Sequence, residues 1–312
     1  MSERFGLYTG AYIHAGGTMN LTQIQDFTVN PNTTKSAITP SGTIDAAHVG
    51  LGSATPTITF SSQDITNIFA DVSITTGLAA SGNVTFWWQE RAEGGTFIAA
   101  ATATHMQWQS TGGFLRPTSF SASQDGGDGA LVQFEFTPLW DGTNDPVVLT
   151  DAVALNITPP APAFGSRFWL GPVYHAGAAL GGITQVDIDP GINYNARALN
   201  GDPWPRKGSI IMREPRITFT SIKADVAANL NALSNSAIAT GIVVYLRKGA
   251  ASAGASTTGR VADITANHAK ITAAAGDWQL DEASVTNTDD GQVSFSVIPT
   301  GTIALDVATA IP

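Results

Sequence analysis

The sequence contains no cysteine and few charged residues. Of its 312 residues, 15 are Lys or Arg and 25 are Asp or Glu, so charged residues make up 13%, about half the usual share. Without thiols, disulfides and thiolate chemistry are excluded. Because few ions need to be desolvated, a weakly charged polar surface is easily buried against a partner. This composition favours a protein that assembles.

Long hydrophobic runs are also missing. The first residues, 1–4, continue into mixed sequence without the apolar core of a signal peptide. No stretch approaches the ~20 apolar residues that a membrane-spanning helix requires. We therefore expect a chain that has no contact with a membrane and that folds in the cytoplasm where it is made.

Motifs that carry catalysis or bind cofactors are absent from the sequence. It has no Gly-x-Ser-x-Gly elbow, no Walker loop and no His-Glu-x-x-His. Two acidic pairs, Glu90/Glu93 and Asp289/Asp290, lie at strand ends or in turns, where solvated charge is the simpler interpretation. We expect no enzyme activity, no catalytic residue, no cofactor and no metal ion.

The histidines and two aspartate-rich loops are the remaining candidates for metal sites. His14, His105, His175 and His268 have no acidic or thiol partner at ligand spacing, so we predict structural histidines that bond the backbone. Residues 125–129 and 141–145 lack the Asp-x-Asp-x-Asp-Gly pattern of calcium loops. They are typical of turns.

An aromatic segment, 87–90 (Trp-Trp-Gln-Glu), has the residues of a sugar-binding platform. The corresponding segment of the repeat described below keeps the bulky residues but replaces Gln89 and Glu90 with Arg247 and Lys248. Since only the bulky part recurs, packing in the core is the better prediction.

The most informative feature is an internal repeat with an offset near 160 residues. Five segments recur in order: 10–16 at 171–177, 56–62 at 215–221, 85–88 at 243–246, His105 at His268, and 134–138 at 295–299. A Pro-rich segment separates the copies, and Pro stiffens a chain toward extended geometry. We predict two homologous domains, 1–157 and 166–312, joined by a linker at 158–165.

Each repeat is predicted to be mainly β with one short flanking helix. Ile58 and Phe60 alternate with Thr as in a half-buried strand. Ser61 and Ser62 offer a helix N-cap, with Asp64 in the first turn, before an apolar face at Ile65, Ile68, Phe69 and Val72. The second copy has Ser221 as the cap, followed by Val226, Leu230 and Leu233. Asp- and Gly-rich segments at 123–129 and 287–291 predict hairpin turns.

Charge is unevenly distributed between the copies. Residues 1–155 carry 4 basic and 13 acidic side chains, whereas the rest carry 11 and 12. The acidic first copy can therefore face basic residues of the second, namely Arg206, Lys207, Arg213, Arg216 and Lys223. A duplicated chain also lets three subunits imitate a ring of six. An acidic channel would repel DNA and not bind it.

This organisation resembles that of the tail tube proteins of long-tailed bacteriophages. The resemblance rests on the strand-to-helix segment 56–65, on its copy at 215–226, and on the tandem layout. It implies β-sandwich domains, a virion structural protein assembled in the host cytoplasm, and homotrimeric rings with pseudo-sixfold symmetry. It also implies that the rings stack with other virion proteins into a tube through which DNA passes without specific binding.

Two other functions remain open from the sequence. A double-jelly-roll major capsid protein also has two β-barrels per chain and forms pseudo-hexameric trimers, although an early helix and repeats of about 155 residues fit it less well. A tandem carbohydrate-binding or adhesin module would usually carry a secretion signal and exposed aromatic residues.

Overall fold

The computed structural model describes residues 4–38, 41, 48–92, 97–124, 129–155, 167–223, 226, 241–250, 259–284 and 292–312. As predicted, the protein is mainly β, with several antiparallel sheets. We call described residues 4–155 the first half and 167–312 the second half.

The first half contains eleven strands among its described residues, with helix α1 (Ile65–Ile68) between the sixth and seventh. The strands are β1 (Arg4–His14), β2 (Gly17–Leu21), β3 (Ile24–Asn30), β4 (Thr33–Ile38), β5 (His48–Ala54), β6 (Thr57–Ser62), β7 (Leu78–Arg91), β8 (His105–Ser110), β9 (Gly113–Ser123), β10 (Leu131–Pro138) and β11 (Val148–Val153).

The described residues of the second half also contain eleven strands. They are β12 (Phe168–His175), β13 (Ala178–Leu180), β14 (Ile183–Asp189), β15 (Ile192–Ala198), β16 (Pro205–Arg213), β17 (Arg216–Ser221), β18 (Ile242–Lys248), β19 (His268–Ala273), β20 (Gly276–Ser284), β21 (Gln292–Pro299) and β22 (Ile303–Thr309).

The strands of the two halves pair in the same order. In the first half one sheet runs β2–β1–β7–β8–β11 and another runs β3–β6–β10–β9, while β4 and β5 form a separate hairpin. In the second half the sheets run β13–β12–β18–β19–β22 and β14–β17–β21–β20, and β15 pairs with β16. Each of these pairings in one half thus has a counterpart in the other, whereas a short pairing of β7 with β9 (Leu78–Leu115 and Ala79–Phe114) is found only in the first half among the described residues.

Each half is a β-sandwich whose core lies between its two sheets. In the first half Phe60 of β6 meets Phe86 of β7 with ring centroids 5.5 Å apart. In the second, Trp278 of β20 lies edge-to-face against His175 of β12 at 5.5 Å and packs on Phe295 of β21. Burial of such rings supplies much of the driving force for folding.

Helix α1 is shorter than the sequence predicted, and it begins differently. It covers one turn, Ile65–Ile68, although Phe69 and Val72 are buried as expected. The N-cap is Asp64, whose carboxylate accepts hydrogen bonds from the Asn67 backbone and amide groups at 3.3 and 2.7 Å. Ser62 instead ends β6, and its hydroxyl donates to the Thr22 carbonyl at 2.7 Å. The predicted cap at Ser61 or Ser62 is therefore wrong: the Ser62 hydroxyl accepts the Asp64 N–H at 3.0 Å and so supports the turn before the helix, but the first turn itself is capped by Asp64.

Several predicted features lie outside the described residues. These are the Pro-rich linker at 158–165 with the domain boundaries at 157 and 166, the turn residues 125–128 and 287–291, and, apart from Val226, the second helix. The strands on either side of both turns do pair as antiparallel neighbours, β9 with β10 and β20 with β21.

Candidate assembly interface

Two of the histidines that the sequence singled out are buried and bonded to the backbone, as predicted. The Nδ1 atom of His105 accepts the Glu90 N–H at 3.1 Å, and its Nε2 lies 3.1 Å from the Ala99 carbonyl. His268 makes the corresponding contacts with the Lys248 N–H at 3.1 Å and the Ala262 carbonyl at 3.0 Å. Since Nδ1 accepts in both, the proton lies on Nε2. Both rings tie a strand to a loop.

The other two histidines lie at the ends of strands. His14 Nδ1 accepts the Gly16 N–H at 3.2 Å, and its Nε2 is 3.6 Å from an Asp71 carboxylate oxygen. Burial against Trp278 lowers the pKa of His175. Within the described parts of the chain, no three His, Cys, Asp or Glu side chains are close enough together to hold a metal ion.

The Asp141 loop and the paired tryptophans have structural environments. The Asp141 carboxylate accepts the backbone N–H groups of Thr143 and Asn144 at 2.7 and 2.8 Å. These bonds lower its pKa to about 2, and they form the turn that the sequence predicted. Trp87 is buried, while Trp88 packs edge-to-face on Trp108 at 5.9 Å. A flat exposed platform for a sugar is not present in segment 87–90.

The two halves are joined by direct strand pairing. Strand β9 of the first half runs antiparallel to β14 of the second, with Phe120 opposite Ile188 and Ser121 opposite Asp187. The pairing fuses two four-stranded sheets into one eight-stranded sheet, in the order β3–β6–β10–β9–β14–β17–β21–β20. The sequence did not predict this junction, because alternation of side chains indicates that a strand exists but not which strand edge it joins.

The two faces of the eight-stranded sheet differ sharply in polarity. One face carries a row of directly opposed residues that are all almost fully buried: Phe120, Ile188, Ile217, Val297 and Trp278. The adjacent residue on each of these strands belongs to the other face. These residues form a second row of directly opposed positions: Ser121, Asp187, Thr218, Ser296 and Gln279. The same face of the first half carries Thr28, Thr59, Glu135 and Arg116. This outer face is thus polar, and its Arg116 and Glu135 neutralise each other at 2.8 Å.

The hairpin β15–β16, which we call the second arm, packs on the first half. The Tyr194 ring stacks on Phe114 of β9 with centroids 4.3 Å apart and planes 13° apart. The guanidinium of Arg116 donates to the Ile192 carbonyl, and the backbone N–H of Trp140 donates to the Pro205 carbonyl at 2.8 Å. Strand pairing and this arm hold the halves together.

The ion pairs found among the described residues do not join the halves. Arg206 pairs with Asp202, and Arg216 pairs with Asp281, in both cases inside the second half. Arg206 also lies over the Trp140 ring at 4.9 Å, which is an aromatic contact with the first half. The predicted attraction between an acidic first copy and basic residues of the second is therefore not what joins them within one chain.

Two strand edges of the eight-stranded sheet lack a neighbour among the described residues. β3 pairs only with β6, and β20 pairs only with β21. An unpaired edge exposes backbone N–H and C=O groups that can pair with another chain. β3 holds the same place in the first half that β14 holds in the second, and β20 holds the place of β9.

Comparison with known proteins found no matching protein-family model and no curated protein with significant sequence similarity. In the described part of the chain, no helix is both long enough and apolar enough to span a bilayer. The candidate interface is thus assigned from geometry alone.

Proposed function

We propose that the protein is a virion structural subunit, a tail tube protein whose tandem domains arose by duplication and whose chains close into trimeric, pseudo-hexameric rings. The observation that carries this proposal is the β9–β14 junction. It is an edge-to-edge contact between the halves. The counterparts of its two edges, on β3 and β20, lie at opposite ends of the same sheet and have no neighbour among the described residues.

The junction within the chain specifies the contact between chains. If β20 of one chain pairs with β3 of the next as β9 pairs with β14, the position of Ser121 is taken by Ser284 and that of Asp187 by Thr28. The pairing Thr28–Ser284 then continues the eight-stranded sheet in the same register. Repetition of one such heterologous contact closes a ring when the rotation fits.

The size of the closed sheet suits three chains. Three chains with eight strands each would close into a barrel of 24 strands. With strands spaced about 4.8 Å apart and tilted by 0 to 40°, the backbone of this barrel has a diameter of roughly 37 to 48 Å. After about 5 Å of side chain on each wall, the lumen is still wider than the ~20 Å of a DNA duplex. By the same estimate two chains would leave a lumen of roughly 14 to 22 Å, which at best only just matches the duplex.

The chemistry of the outer face supports passage of DNA. Because the apolar face is buried inside each sandwich, the Thr-, Ser-, Gln- and Asp-bearing face would line the lumen. It carries Asp187 and Asp189 from β14, and the two arginines among its described residues, Arg116 and Arg216, are already paired with Glu135 and Asp281, so it offers DNA few attractive contacts. Weak repulsion of this kind lets a polyanion slide without binding.

The proposal is tested by cysteine cross-linking in a chain that has no native cysteine. The double variant T28C/S284C should form disulfides between chains under oxidation and give a closed covalent trimer on non-reducing gels. The matched variant S121C/D187C should form the same bond inside one chain and stay monomeric. Electron microscopy of the wild type should show rings or tubes roughly 70 to 80 Å wide, because the outer sheet of each sandwich lies ~10 Å outside a barrel of this diameter and adds its own side chains.

Other outcomes would replace the proposal. If S121C/D187C cross-links while T28C/S284C stays monomeric at high protein concentration, the edges do not meet and the ring is wrong. Flat hexagonal trimers or closed shells would indicate a capsid protein, and a soluble monomer that binds glycans would indicate an adhesin.

A further inference from the structure

The docking of the second arm on the first half is a template for a contact between chains. In the ring, which this inference takes from the proposed function, the first arm (hairpin β4–β5) of one chain would lie on the second half of the preceding chain. The register of the two arms indicates which side chains would meet in this contact.

The two arms begin in the same register and share one irregularity, while a second shift, between Arg197 and Ala198, is found only in the second arm among the described residues. In the second arm the pairing shifts between Asn193 and Tyr194, and in the first arm it shifts between Thr34 and Lys35. Counted from this shift, Lys35 of the first arm occupies the position of Tyr194. An aromatic ring in one arm is thus replaced by a cation in the other.

The surfaces that receive the arms can be matched in the same way. In the first half Gly113 lies opposite Pro138, and in the second Gly276 lies opposite Pro299. The residue after the glycine in the first half is Phe114, which contacts the second arm, and the matching residue in the second half is Asp277. The stacked pair Phe114–Tyr194 therefore corresponds to the pair Asp277–Lys35.

Both charged residues are available for such a contact. Lys35 is exposed and Asp277 is half-buried, and within the described residues neither has an ion-pair partner. A second contact can be matched in the same way. Arg116 donates to the Ile192 carbonyl within the chain. Its counterpart is the exposed Gln279, whose amide could donate to the Thr33 carbonyl of the adjacent chain.

We propose that Lys35 of one chain forms an ion pair with Asp277 of the adjacent chain, so that the contact within a chain is aromatic and the contact between chains is electrostatic. The difference has a consequence for assembly. The aromatic contact forms during folding at any salt concentration, whereas the ionic contact weakens as salt is added. Ring formation, unlike folding, should then depend on ionic strength.

The first test uses the wild-type protein. A carbodiimide should join the Lys35 amine to the Asp277 carboxylate, and a mixture of isotopically heavy and light chains should show by mass spectrometry that the linked peptides come from different chains. Recovery of this cross-link only from peptides of one chain, or its absence from assembled rings, would overturn the ion pair.

The second test reverses the charges. We expect K35E and D277K each to weaken ring association about tenfold at low salt, and K35E/D277K to recover to within about threefold of the wild type. The control K207E makes the same charge change on the exposed face of the second arm and should leave association unchanged. Association is measured by sedimentation equilibrium, and folding of each variant is checked by circular dichroism.

The outcomes separate this inference from the function on which it rests. If the wild type forms rings and T28C/S284C cross-links between chains, but K35E behaves like K207E or the double reversal does not recover, the ring stands and the ion pair is wrong. If the wild type does not associate and T28C/S284C does not cross-link, the ring itself is wrong.

Discussion

Replacement of the buried histidines measures how much their hydrogen bonds between a strand and a loop contribute to the free energy of unfolding. His268 is fully buried, and its ring bonds the Lys248 N–H and the Ala262 carbonyl. The substitution His268→Ala leaves both backbone groups without a hydrogen-bond partner. Each unpaired group lowers the free energy of unfolding by about 1–3 kcal/mol, and water that enters the vacated space restores part of this loss. We expect the free energy of unfolding to fall by about 3 kcal/mol.

The assay is urea unfolding followed by tryptophan fluorescence, with His105→Ala and His14→Ala alongside. His105 makes the same pair of bonds in the first half, so its loss should be similar. His14 bonds only the exposed Gly16 N–H and the Asp71 carboxylate, so its replacement should cost less than about 1 kcal/mol. Losses below 1 kcal/mol at both His105 and His268 would refute the structural role. Nitrogen NMR should also find the Nε2–H tautomer in both rings.

Three other predictions follow from single contacts. Phe60→Ala removes a ring buried between Phe86 and Phe134 and should lower the free energy of unfolding by about 3–5 kcal/mol in chemical denaturation, whereas a loss under 1 kcal/mol would mean that the sandwich core is misplaced. The hydrogen bond from Arg247 lowers the pKa of Asp263. This pair therefore stabilises the fold fully above the unfolded-state pKa near 4, and the stabilisation is lost as pH falls through the lower folded-state pKa. Arg247→Gln should flatten this acid dependence of the unfolding free energy, and an unchanged profile would contradict the pairing. The Asp141 carboxyl, whose pKa is about 2 because it accepts two backbone N–H groups, should titrate below the other carboxyls by carbon NMR, and a midpoint near 4 would show that the turn is absent.

Local features of the sequence predicted the elements and their environments. Alternation at Ile58 and Phe60 placed β6, and the lack of acidic or thiol partners at ligand spacing from His105 and His268 indicated backbone-bonded rings. The helix cap was wrong because β6 continues through Ser62, whose hydroxyl also bonds the Thr22 carbonyl from a distant part of the chain, and Asp64 caps the helix instead. Contacts between residues 40 positions apart leave no local trace in the sequence.

The candidate interface was the least predictable part. The pairing of Ser121 with Asp187 and the stacking of Phe114 on Tyr194 join residues far apart in the chain. Many polar strands could pair equally well by composition, so only their placement in space selects one neighbour.

The sequence by itself determined that this chain is mainly β, because side-chain alternation and turn residues act over a few positions. It also revealed two series of matching segments about 160 residues apart. Only the tertiary structure decided that the two halves share one eight-stranded sheet and that its end strands, β3 and β20, have no neighbour among the described residues. The reason is physical: a strand's pattern specifies which face is buried, whereas the choice of edge partner depends on backbone groups that every strand presents alike.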